Sequence, residues 1–153
     1  MTYQFRFDVV WNNVPFLMEG LWLTLTISFL ALAISMVLGL LVAVVRLSKN
    51  RGISFIAATY VEIFRDTPVL VQLFWVYYVL PILLDIRITA FGAALIGLTL
   101  HSAAFLGEIY RAGIQAVPSG HAEAAKVLGL TPAQTFVRIV MPQAFRTILP
   151  PLV

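Results

Sequence analysis

Glu62, Arg65, Thr67 and Gln72 fall within eleven positions of a stretch that is otherwise almost wholly apolar. A carboxylate and a guanidinium in such a setting suit the recognition of a zwitterion, whose ammonium and carboxylate each need a partner of opposite sign. Asp66 and Pro68 lie in the same run. Proline biases the residue before it, Thr67, away from helical geometry, so the cluster is expected at an interrupted helix of the kind that lines transport paths. A helix starting near Ile53 and rising about 1.5 Å per residue carries Arg65 roughly 18 Å along, near the middle of a bilayer. Ionisable groups at that depth face a partner helix or a water-filled route. Glu62 and Arg65 stand at i and i+3 and can neutralise each other. The alternative is that Ile53 to Phe64 lies at the membrane surface, with its charges among headgroups.

No arrangement for covalent catalysis is present. The chain has no cysteine, no G-x-x-x-x-G-K-S/T phosphate cradle, no H-E-x-x-H and no G-x-S-x-G. His101 has no second histidine or acid placed to complete a metal site, so a polar contact between helices is expected of it. Glu108 and Arg111 follow an apolar run and are expected to pair at an interface.

The elements that hold these residues are membrane helices. Apolar residues make up 61% of 153 and charged ones 11%, with a mean hydropathy of +0.96. So few charges leave a water-facing surface uncovered, whereas a lipid-facing surface needs none. The net charge of +3 fits basic cytoplasmic loops rather than a nucleic-acid interface. Met1 to Asn13 is mixed and lacks the layout of a signal peptide. Gly20 to Val45 carries no charge over about 26 residues. Ala31, Ser35, Gly39 and Ala43 repeat every fourth position within it, a small-residue stripe for close helix packing. The basic link Arg46 to Gly52 is expected inside the cell, which puts the N-terminus outside. The interrupted stretch Ile53–Leu84 crosses next, with Trp75, Tyr77 and Tyr78 as an interfacial belt. Asp85-Ile86-Arg87 makes a short outer turn, and Ile88 to Gly107 returns the chain inward. A further apolar run begins at Ile139 and reaches Val153 without a cap or flanking charge, so the chain reads as cut short within it. The expectation is an all-α polytopic bundle: three spans, an amphipathic cytoplasmic segment and the start of a fourth.

That segment is sharply punctuated. Pro118 and Ser119 suit a helix start, and Gly129 suits the left-handed position after its end. Thr131 opens a second helix with Pro132 at its first position and Gln134 completing a T-x-x-Q capping box. Pro142 is expected to kink or break that helix. Two short helices about a glycine also fit a DNA-binding helix-turn-helix. The second helix opens Pro132-Ala133-Gln134-Thr135-Phe136-Val137, without a basic residue for phosphate or base, which speaks against nucleic acid.

Glu123-Ala124-Ala125, then Gly129, Ile139 and Pro142, resembles the EAA-x3-G-x9-I-x-L-P motif of ABC importer permeases, with Met141 in place of the leucine. Glu108 to Val117, Pro142 to Arg146 and Arg65 to Phe74 extend the likeness to the polar amino-acid branch (histidine, glutamate, glutamine, arginine or opines). His121 stands where that branch commonly has glutamine, and Asp66 where a small residue is usual. The resemblance implies one transmembrane domain over 1–153, incomplete at its C-terminus, with a coupling segment at about 118–142. Glu123, Ala124, Ala125, Gly129, Ile139 and Pro142 would engage a separate cytoplasmic ATPase. It further implies a second permease subunit, identical or homologous, and a periplasmic or lipid-anchored amino-acid-binding protein, with alternating access in the bacterial inner membrane. No cofactor is expected on this chain, ATP and Mg being used by the partner ATPase. A secondary transporter or channel subunit is the rival reading, and a membrane-anchored DNA-binding regulator a more distant one.

Overall fold

The computed structural model describes residues 7–152. Met1 to Arg6 and Val153 lie outside the described residues, and with them the first half of the mixed stretch Met1 to Asn13. All regular structure in the described part is helical. In chain order the helices are α1 (Asp8–Asn12), α2 (Val14–Arg46), α3 (Arg51–Asp66), α4 (Val69–Phe74), α5 (Leu80–Leu84), α6 (Ala90–Gln115), α7 (Ser119–Val127), α8 (Pro132–Thr135) and α9 (Met141–Leu152). Two π-helical turns, Trp75–Val79 and Phe136–Val140, join α4 to α5 and α8 to α9.

Helices α2 and α6 are each long and apolar enough to cross a membrane. Their 33 and 26 residues extend about 50 and 39 Å. They pack on each other along the small-residue stripe. Ala31, Ser35, Gly39 and Ala43 are the buried residues of α2, and Ala103, Leu106 and Gly107 of α6 lie against Gly39. The other face of α2, with Phe16, Trp22, Phe29 and Val37, is exposed. In a chain of this composition that is a lipid-facing surface.

The second apolar stretch is a bent pair. Arg51–Asp66 and Val69–Leu84 meet at 108° and together are long and apolar enough for a third crossing. Thr67 (φ −97°, ψ 130°) and Pro68 (φ −56°, ψ 136°) are extended, as expected for a residue before proline and the proline itself. Arg65 lies in the last turn of the unbroken α3, directly before the hinge. Asn50 caps α3, its side chain accepting from the Gly52 and Ile53 amides at 3.0 and 3.4 Å. Ser54 closes the link by donating to the Arg46 carbonyl at 2.8 Å. Tyr60 fastens α3 to α6 through a 2.6 Å hydrogen bond to the Leu100 carbonyl. At the other end of the pair Asp85 ends α5 in a left-handed conformation (φ 52°), which a short polar side chain tolerates better than most.

Each π-turn is followed, two residues on, by a proline: Pro81 after Val79, and Pro142 after Val140. A proline inside a helix lacks the N–H for the carbonyl four residues back, and its ring strikes that carbonyl. The carbonyls in question belong to Tyr77 and Arg138, the middle residues of the two turns. Widening the helix by one residue there moves each carbonyl aside. Pro142 therefore does not end its helix; the chain stays helical from Pro132 to Leu152.

Candidate functional site

Helix α7 ends in a Schellman turn. The Leu130 amide donates to the Ala125 carbonyl at 3.1 Å and the Gly129 amide to the Lys126 carbonyl at 2.9 Å. Gly129 has φ +78°, as this motif requires at the position after the cap. The next helix opens with the expected capping box: Gln134 N–H donates to Thr131 Oγ1 at 3.3 Å, and Thr131 N–H to Gln134 Oε1 at 3.0 Å. These paired bonds hold α7 at a defined angle to α8.

The turn divides the Glu123-Ala124-Ala125 triplet between two environments. Ala125 is buried, whereas Glu123 and Ala124 are exposed. Helix α7 packs on α8 and on the π-turn Phe136–Val140, so Ala125 serves contact within the chain. The outward surface also carries Val127 and Leu128, 88% and 78% exposed. Glu123 and Val127, at i and i+4, share one face. Motif spacing does not single out Val127 or Leu128. A helical wheel centred on Ala125 does so for Val127, which falls about 160° away. Two apolar side chains beside exposed Glu123 and Lys126 form a surface suited to a protein partner. Ile139 is half-buried in the π-turn and Pro142 is exposed.

The cluster at the hinge is drawn apart. Gln72 is 7% exposed, and its Nε2 donates to the Phe64 and Thr67 carbonyls at 2.7 and 2.8 Å. It thereby caps the open end of α3, leaving Oε1 buried without a partner. Thr67 donates its hydroxyl to the Ile63 carbonyl at 2.7 Å. Both residues line a cavity of about 410 Å³ whose other walls include Phe64, Trp75, Val76 and Leu100. Glu62 and Arg65 are exposed, and no ion pair joins them among the described residues. Arg65 instead lies over the Phe105 ring, 5.5 Å from its centroid, a cation–π contact.

Glu108 and Arg111 form the expected pair, with Arg111 Nε 3.1 Å from Glu108 Oε2. Arg46, at the end of α2, binds the same carboxylate. Spacing along α6 reveals the first partner; only folding supplies the second, 62 residues away. Arg111 also reaches Gln115, and Arg65 is a third positive charge acting on Glu108. One anion thus ties the C-terminal end of α2 to α6 and feels the charge at the end of α3. His101 makes its ring contact with Phe105 of its own helix, centroids 4.8 Å apart, rather than with another helix. Its Nδ1 is buried without a partner. Among the described residues no group of three His, Cys, Asp or Glu side chains is placed to hold a metal.

The sequence and the helical fold have counterparts among known proteins. Residues 35–153 match the family model described as the binding-protein-dependent transport system inner membrane component. A probable amino-acid ABC transporter permease of Sinorhizobium fredii is 42% identical over 91% of this chain and 60% of its own length. The arginine transport system permease ArtQ of Bacillus subtilis is 40% identical, over 96% and 67%. The glutamine transport system permease GlnP of Escherichia coli is 36% identical, over 97% and 68%. The chain therefore spans three-fifths to two-thirds of the length of these relatives. A crystal structure of an amino acid ABC transporter with histidines superposes with a TM-score of 0.86 at 38% identity, covering 98% of this chain and 70% of the other.

Proposed function

The chain belongs to the binding-protein-dependent transport system inner membrane component family, and from that premise we propose that it serves as the membrane-spanning subunit of an ATP-driven importer of a polar amino acid. The observation that carries this reading is the α7 surface. Glu123, Ala124, Val127 and Leu128 project from a helix locked at its end by Gly129, within the stretch that matches the family. A short helix of this kind suits docking in a groove of a separate ATPase, with the Schellman turn passing its displacement to α8 and α9. ATP hydrolysis belongs to that partner. The complex needs a second permease subunit, identical or homologous, and an external amino-acid-binding protein. It works by alternating access in the bacterial inner membrane, with the α7 segment cytoplasmic and the N-terminus outside.

The names of the relatives support the substrate class, since arginine and glutamine are both polar amino acids. On this reading Thr67 and Gln72 border the route through the hinge cavity, and Glu62 and Arg65 meet the substrate's ammonium and carboxylate at its mouth. Co-expression with the ATPase and uptake into vesicles tests the assignment. Leu128→Asp is expected to abolish ATPase co-purification while leaving the chain in the membrane. Glu62→Gln with Arg65→Ala is expected to lower uptake with assembly intact. Uptake that proceeds without nucleotide overturns the importer reading in favour of a secondary transporter.

A further inference from the structure

Helix α7 is tied to α9 by one side-chain hydrogen bond among the described residues. His121 Nδ1 lies 2.7 Å from Gln143 Oε1. The amide of Gln143 is oriented by its other end, where Nε2 donates to the Ile139 carbonyl at 2.9 Å. Oε1 can only accept, so the imidazole presents a protonated Nδ1 to it. The side chain of Gln143 thus bridges the first turn of α7 to a carbonyl inside the π-turn. That turn is already loosened by Pro142, and π-turns are places where a helix shifts its register.

The far side of the same bridge is tightly packed. Ala144 and Ile148 are buried and seat α9 on α6 at Gly113, where an added Cβ would lie 2.8 Å from Ile148 Cδ1 and 3.4 Å from the Ala144 carbonyl. Movement of α7 therefore meets a soft turn held next to a fixed contact. We propose that Gln143, held by His121, is the joint through which displacement of α7 is handed to the π-turn and to α9. Both are positioning residues. The proposal rests on the function proposed above, and it adds the side chains that carry the motion, which the motif spacing does not identify.

The test uses His121→Ala, Gln143→Ala, the double variant and His121→Gln, the last retaining an amide N–H to donate to Gln143. In the chain assembled with its ATPase, substrate moved per ATP is expected to fall about fivefold in either alanine variant, the scale of one lost hydrogen bond. The amount of ATPase bound should not change. The double variant should be no worse than either single, and His121→Gln should stay near the parent value. Additive losses, an unchanged ratio, or equal impairment in His121→Gln and His121→Ala each overturn the proposal. Amide hydrogen exchange on the solubilised chain probes the joint independently of transport. His121→Ala is expected to speed exchange in the π-turn and the first turn of α9, and His121→Gln is not. Unchanged exchange overturns the joint whatever the transport result, whereas absence of uptake in the parent complex counts against the proposed function alone.

Discussion

Gly39 of α2 and Gly107 of α6 face each other at a close approach of the two long helices. An added Cβ on Gly39 would lie 3.1 Å from the Gly107 nitrogen and 2.8 Å from Leu106 Cβ, and one on Gly107 would lie 3.3 Å from the Gly39 carbonyl. Backbone approaches backbone here, with Leu106 Cβ and the Val42 side chain packed against the two glycines. Lipid tails are as apolar as leucine, so membrane helices are drawn together by close packing rather than by escape from water. Ala31, Ser35 and Ala43 continue that contact along α2.

Gly39→Val is therefore expected to force the seam open. Its β-branched side chain cannot avoid Leu106 Cβ or the Ala103 carbonyl, 3.2 Å from the added Cβ. Overpacking of this kind costs about 1–3 kcal/mol. Thermal unfolding of the detergent-solubilised chain measures it. A Gly20→Val control, where nothing lies within 4 Å of the added Cβ, should leave the midpoint nearly unchanged.

Gln72→Leu keeps the volume at the hinge but removes the donor shared by the Phe64 and Thr67 carbonyls. Leaving buried acceptors unpaired costs about 1–3 kcal/mol. The loss should centre on the 108° bend. Proteolysis is expected to begin near Thr67 in the variant and not in the parent, and equal cleavage there would remove the capping role.

Glu108→Gln removes the carboxylate that faces Arg46, Arg111 and, at longer range, Arg65. The glutamine still accepts a hydrogen bond, so the change isolates charge. The side chains are less than a quarter exposed, and a charge-assisted bond in such a place contributes about 1.5–3 kcal/mol. Lower stability that Arg46→Gln in the same chain does not worsen further is the expected double-mutant result. Additive losses would show that Arg46 and Glu108 act separately.

Gly129→Ala tests the turn after α7. Nothing lies within 4 Å of an added Cβ, so the cost is purely the left-handed backbone, about 1–2 kcal/mol. Asparagine tolerates that conformation better, and Gly129→Asn should be milder. If the proposed function holds, ATP-coupled uptake should follow the same order, parent above Asn above Ala. Equal uptake in all three would separate the turn from coupling.

Several of these features were legible before folding because their causes are local. A fourfold stripe of small residues is a helix face by periodicity alone. The left-handed turn at Gly129, the Thr131–Gln134 box and the break at Thr67–Pro68 each follow from the dihedral or hydrogen-bonding habits of adjacent residues. Local chemistry also announces that Pro142 disturbs its helix, but not that a π-turn absorbs the disturbance. Pro81 is accommodated by the same kind of π-turn.

Spacing could place Glu123, Ala124 and Ala125 on one helix; it could not tell which of the two alanines looks inward. That depended on α7 settling against α8 and the π-turn, which turned Ala125 in and left Glu123, Ala124 and Val127 out. Likewise Glu108 was paired with Arg111 by helical repeat, while Arg46 arrived only when α2 packed along α6. Gln72 reads in sequence as a polar residue on a transport route, and in the fold its amide is first the cap of α3. What the sequence by itself determined was therefore solvent, helix boundaries and turns, all set within about one helical turn of each residue. What only the tertiary structure decided was the direction of each side chain and its distant partner, because those depend on which helix faces come together.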